Sequence, residues 1–196
     1  MKLTFAEEDP DETLEELTSI LGFIEVEVAQ YFVESDEQLE YCDFEDPTEY
    51  KKFFTQFAEY ANPLWSARTG TQWDFGRVPF RDSSSTISGV YRILRTGGAY
   101  SGAGKDAYAV EKTEAIEIEG QLRSGFQKNA NSLHIFCIVE FTHTNDAGSS
   151  FLVDMTSYEQ LGDISQFFNR IAWDDLIFII NPQYNTLYVI AFTDTD

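Results

Sequence analysis

Apolar residues come in two unbroken runs near the end of the chain, 176–180 and 187–192, separated by Asn181-Pro182-Gln183-Tyr184-Asn185-Thr186. Two strand-length runs around a turn rich in Asn and Pro predict a β-hairpin with a slightly long loop. Both runs are apolar at successive positions, so both faces of each strand are expected to be covered and the pair to lie near the middle of a sheet. Further strands are expected upstream. Residues 133–143 place Ile135, Cys137, Val139 and Phe141 on one face and His134, Phe136, Ile138 and Glu140 on the other. A turn at 145–149 returns the chain as a strand over 150–155. Residues 87–94 and 108–119 also read as strands, the second with Ile116 and Ile118 inward and Glu117 and Glu119 outward, followed by a loop over 120–132.

Helical spacing dominates the first third. Leu14, Leu17, Leu21, Ile24, Val28 and Tyr31 recur at steps of three and four behind the start signal Asp9-Pro10, which predicts a helix to about Val33. A competing reading stops that helix at Gly22 and turns the alternating Ile24-Glu25-Val26-Glu27-Val28 into a strand. The long helix is favoured because the stripe stays in phase through Gly22. Ser35-Asp36-Glu37-Gln38 has the form of a capping box ahead of a short helical turn. Asp46-Pro47-Thr48-Glu49 opens a helix whose apolar face is Tyr50, Phe53, Phe54, Phe57 and Tyr60, and Asn62-Pro63 is expected to end it. Ile164, Phe167, Phe168 and Ile171 mark a last helix over 163–172. Helices first and hairpin-linked strands afterwards predict an α+β fold with an antiparallel sheet of about five to seven strands. Residues 1–196 are read as one domain. Residues 1–62 form an acidic helical arm layered on the sheet, and residues 63–196 form mainly the sheet.

Charge adds the strongest global fact. The formal net charge is −21, and residues 1–50 hold seventeen acids and one base. Such a field opposes nucleic acid and anionic membranes and favours a basic protein partner. With 43% hydrophobic and 15% aromatic residues, a core of ordinary size is within reach. No apolar run approaches the ~18 residues of a membrane helix. The first residues do not have the pattern of a signal peptide, and two cysteines make no disulfide framework, so a cytoplasmic location is expected.

Candidate chemistry is sparse. Residues 97–106, rich in glycine and ending in Lys105-Asp106, put Ala99 and Asp106 where a phosphate-binding loop needs Gly and Ser or Thr, and they also lack the dinucleotide pattern. Arg92 with Glu117 and Glu119 has the parts of the ADP-ribosyltransferase set at too short an interval for that fold. His134 and His143 lie nine residues apart on one expected strand, about 30 Å at ~3.3 Å per residue, too far to share a metal. Cys137 reads as a core residue, and Cys42 as a poor nucleophile among acids. No catalytic residue, metal site or cofactor is expected.

What remains is the acidic segment. Glu34, Asp36, Glu37, Glu40, Asp43, Glu45, Asp46 and Glu49 place eight carboxylates in sixteen residues, with Tyr41 and Phe44 among them. Carboxylates can steer a basic surface and aromatics can anchor it. The partner-binding set is therefore Glu34, Asp36, Glu37, Glu40, Tyr41, Asp43, Phe44, Glu45 and Asp46. The expected function is a non-catalytic acidic binding protein, of the kind that includes immunity proteins, antitoxins and anti-defence inhibitors of nucleic-acid-acting proteins. Two other classes compete: a small ligand-binding or enzymatic domain with an anion site at Arg92, Arg95 and Lys105, and an assembly subunit using the aromatics of 64–80.

Overall fold

The computed structural model describes residues 2–44, 46–69, 72–74, 81–82, 94–95, 109–127, 134–138, 140–144, 150–154 and 174–193. The hairpin at the end of the chain is the middle of the structure. Strands β8 (Asp174–Asn181) and β9 (Thr186–Thr193) pair antiparallel, with Ile177 opposite Ile190 and Ile179 opposite Tyr188. Their neighbours are β2 (Glu25–Ser35) beside β9, then β1 (Leu3–Glu8) beside β2, and on the other flank β5 (His134–Ile138) and the short β4 (Arg81–Asp82). The order of this antiparallel sheet is β1-β2-β9-β8-β5-β4. A second sheet has the order β3-β6-β7, formed by Gln72–Asp74, Glu140–Thr144 and Ser150–Asp154. The fold is α+β, with antiparallel pairing throughout the described ladders.

The unbroken apolar runs of the hairpin are explained by cover on both faces. On one face Phe178, Ile180, Leu187 and Val189 meet Tyr31 and Val33 of β2, Phe5 of β1, and the helix α2 (Pro47–Thr69). The contact is aromatic: the Phe57 ring lies 5.3 Å from Phe5, 5.2 Å from Tyr31 and 5.8 Å from Phe178, each steeply inclined. Edge-on geometry of this kind adds about 0.5–1.5 kcal/mol per pair beyond the area buried. On the other face Ile177, Ile179, Tyr188 and Ile190 meet α1 (Glu12–Ile20) and α3 (Lys112–Gln127) through Leu14, Leu17, Leu122 and Phe126. α1 and α3 approach closely at Gly125, where a Cβ would come within 2.6 Å of the Thr13 hydroxyl.

Several expectations from the sequence are corrected. The helix does not continue to Val33: α1 ends at Ile20, and residues 25–35 are a strand paired with β9 over 25–32 and with β1 over 30–35. Ladder pairing with strands distant in sequence outweighs the helical phase of its apolar positions. Residues 1–62 are therefore no helical arm, since they supply two strands of the sheet. Residues 3–8 form an unexpected strand. Pro63 lies inside α2, which runs on to Thr69. Within the expected strand and loop over 108–132, residues 112–127 are instead α3, in which Ile116 is 49% exposed and Glu119 is buried; residues 108 and 128–132 lie outside the described residues. Glu119 accepts from Arg123 at 3.0 Å, one helical turn on, so helical pairing satisfies the carboxylate that alternation had placed outside. The run 133–143 is divided between β5 and β6 in two different sheets, so a straight-strand separation of His134 and His143 does not apply. Leu94 and Arg95 are helical, against an expected strand end. The expected turn at 145–149, the glycine-rich 97–106 and the helix at 163–172 lie outside the described residues, as do most of 87–94.

Candidate functional site

The end of β2 and the start of α2 fix the acidic segment between them. Asp36 accepts from the backbone N–H of Lys2 at 2.7 Å, and its own N–H donates to the Lys2 carbonyl, which anchors the outer strand. Glu34 accepts from the Thr4 hydroxyl across the same ladder at 3.2 Å. A 3-10 turn at Leu39–Tyr41 follows Gln38, and the buried Leu39 pins it to the core. Ser35 is not the cap of that turn; its hydroxyl instead accepts from the Glu37 N–H. Asp46 accepts from the Thr48 N–H at 2.8 Å and so caps α2. Glu49 pairs with Lys52 at 2.7 Å, and that contact raises the Lys52 pKa.

Of the nine expected contact residues, seven are on the surface. Glu34, Asp36, Glu37, Glu40, Tyr41 and Asp43 are exposed, and Tyr41 is 82% exposed. Asp46 is exposed as well, with its carboxylate engaged at the helix start. Phe44 is a correction: it is 1% exposed and its ring packs 5.5 Å from Phe53, edge to face. An apolar ring just ahead of a capped helix folds back under that helix more favourably than it stands in water. Glu45 lies outside the described residues. Between Tyr41 and Asp43, the half-buried Cys42 directs its thiol to the Gln38 carbonyl, 4.0 Å away. Burial first, then the charges of Glu37 and Glu49, raise its pKa, which suppresses the reactive thiolate.

Sequence reasoning missed Tyr184. It is 44% exposed in the turn joining β8 to β9. The Val33 N–H donates to the Asn185 carbonyl at 2.7 Å, which ties that turn to the end of β2 where Glu34 begins the acidic segment. The signal was an aromatic inside a polar turn, read only as hairpin punctuation. Asn185 adopts φ 52°, a conformation Asn tolerates, and this fixes the turn.

The rival anion set is not assembled among the described residues. Arg95 is exposed and donates from Nη1 to the Val110 carbonyl, while Arg92 and Lys105 lie outside the described residues. Among the described residues no group of His, Cys, Asp and Glu converges as a metal ion requires, and no helix is long and apolar enough to cross a membrane. No protein-family model, no curated protein and no solved structure matches this chain.

Proposed function

We propose that the chain is an acidic binding protein that covers a basic surface on a protein partner, in the manner of an inhibitor of a nucleic-acid-acting protein, and that it works in the cytoplasm. The observation that carries this reading is Tyr41. Its ring is 82% exposed with the exposed carboxylates of Glu37, Glu40 and Asp43 close to it in sequence. An exposed ring can take the face of an Arg or Lys side chain, and carboxylates around it steer the cation in. Glu34, Asp36, Asp46 and Glu49 have local structural tasks, so Glu37 and Glu40, with Asp43 near them in sequence, are the acids best suited to steering.

The test is the association rate with a partner captured from cell extract at low salt. Reversing Glu37, Glu40 and Asp43 to Lys should slow association at least tenfold at low ionic strength and flatten its dependence on salt. The same reversal at Glu114 and Glu117, exposed on α3, should change it far less. An acidic partner, or a rate indifferent to the first set, refutes the reading.

A further inference from the structure

β1 is shorter than the strand it pairs with. Its register runs from Leu3 opposite Ser35 to Glu8 opposite Gln30, and there the chain turns away through Asp9 and Pro10 toward α1. β2 continues through residues 25–29, paired with β9 from Ala29–Val189 to Glu25–Thr193. On its other side, among the described residues, no strand pairs with that length. The backbone phase can be read directly. The Asp36 N–H donates to the Lys2 carbonyl, so even-numbered β2 residues point their backbone toward β1; the Val33 N–H donates to Asn185, so odd-numbered ones point toward β9. Val26 and Val28 therefore direct N–H and C=O groups into the position that β1 vacates. An open groove of about 700 Å³ lies there, lined by Glu7, Glu8, Asp9 and Pro10 at the end of β1 and by Glu27, Val28 and Ala29 of β2.

The geometry points to a slot for one added strand, whose occupant is an extended segment of a basic protein with Lys or Arg at alternate positions. The backbone contact would supply general affinity, and side chains on each face would supply selection. A strand laid beside β2 alternates its side chains in step with it. The residue beside Glu27 shares the face of Glu27 and Glu7, where an opposite charge is favoured across a ladder. Its neighbours share the face of Val26 and Val28, which pack toward α1, so apolar residues suit them. The length available, five residues of β2 at ~3.3 Å each, admits a segment of about five residues. The carboxylates choose the charge of the occupant; the strand edge that no described strand covers makes the place. This slot is at the opposite end of the β1–β2 ladder from residues 34–43 and stands or falls independently of the reading above.

Amide hydrogen exchange on the whole chain tests it, with acetyl-Lys-Val-Lys-Val-Lys-amide as probe. In the free protein the Val26 and Val28 amides should exchange at least tenfold faster than those of Glu27 and Ala29, which bond to β9. Saturating peptide should slow Val26 and Val28 at least tenfold. A peptide with Glu in place of each Lys, or one N-methylated at alternate amides on the pairing edge, should not. Glu7→Gln with Glu27→Gln should weaken the effect of the Lys peptide several-fold without altering exchange in the free protein. Equal protection of all four amides in the free protein would show that the chain fills its own slot. Unchanged exchange with the Lys peptide, or equal protection by the Glu peptide, would overturn the proposed occupant.

Discussion

Tyr188 stands where four elements meet. Its hydroxyl donates to Asp11 Oδ2 at 3.1 Å, while Asp11 Oδ1 accepts from the Thr13 and Leu14 N–H groups at the start of α1. The Asp11 N–H donates to Gln30 on β2, and Gln30 donates in turn to Glu8 on β1. One carboxylate thus serves as helix cap and as the acceptor for a buried phenol. Burial, then the nearby Asp11 charge and its hydrogen bond, then Glu8, raise the Tyr188 pKa well above its ordinary value of 10.0. Below that ordinary value both folded and unfolded chains hold the proton. Above it the unfolded chain releases the proton and the folded chain keeps it, so stability falls as pH rises past 10. The slope from this group approaches about 1.4 kcal/mol per pH unit. Tyr188→Phe should cost about 1 kcal/mol at neutral pH, the net worth of a hydrogen bond. It should also lose less stability than the parent between pH 10 and 11. Urea melts of both proteins across that range measure the difference; parallel losses would show that the phenol ionises freely in the fold.

At the scale of elements, legibility depended on whether one residue's neighbours along the chain were also its neighbours in space. The final hairpin was legible because Leu187 to Ile190 and Ile177 to Ile180 are buried at every position, and continuous burial leaves continuous apolar sequence. The α2 start was legible because Asp46 and the first-turn signals act locally. β2 was misread because Tyr31 and Val28 keep helical phase with Leu17 and Leu21, and the pairing that decides the matter is with distant β9. α3 was misread for the converse reason: Ala115 to Glu119 alternates like a strand, while the stripe that buries α3 is completed by Leu122 and Phe126 further on. In the acidic segment exposure of Tyr41 and burial of Phe44 look alike in sequence, since both are rings among acids. Nor did composition give Gly125 a role; it is the close-approach point of α1 and α3. Gly125→Ala should therefore destabilise despite the better helix former. Overpacking costs about 1–3 kcal/mol, against roughly 1 kcal/mol gained in propensity. Adding Thr13→Ala, which removes the atoms at 2.6 and 2.8 Å, should recover most of the loss. Denaturation of the single and double variants tests this. A Gly125→Ala protein as stable as the parent would mean that the two helices can part at no cost.

Across the whole molecule, the formal charge of −21 works against the compact state, because folding gathers carboxylates that the unfolded chain keeps apart. The first fifty residues contribute most of it, and the fold concentrates part of that charge: exposed Glu34, Asp36, Glu37 and Glu40 sit at one end of β1 and β2, and Glu7, Glu8 and Glu27 at the other. Local pairing offsets some of this, as at Glu49–Lys52 and Glu119–Arg123, but the bases are too few to offset the rest. Screening should then stabilise the fold itself. The Debye length shrinks from ~30 Å at 0.01 M salt to ~10 Å at 0.1 M, so the midpoint of thermal unfolding should rise over that interval. Glu37→Lys with Glu40→Lys lowers the magnitude of the net charge by four without touching a buried side chain. At 0.01 M salt this variant should melt above the parent, and the gap should close by 0.5 M as screening removes the repulsion both share. Scanning calorimetry at a series of sodium chloride concentrations reads both slopes. If the two proteins melt together at low salt, repulsion in residues 34–43 is already neutralised within the fold, and that segment has no excess field with which to steer a partner.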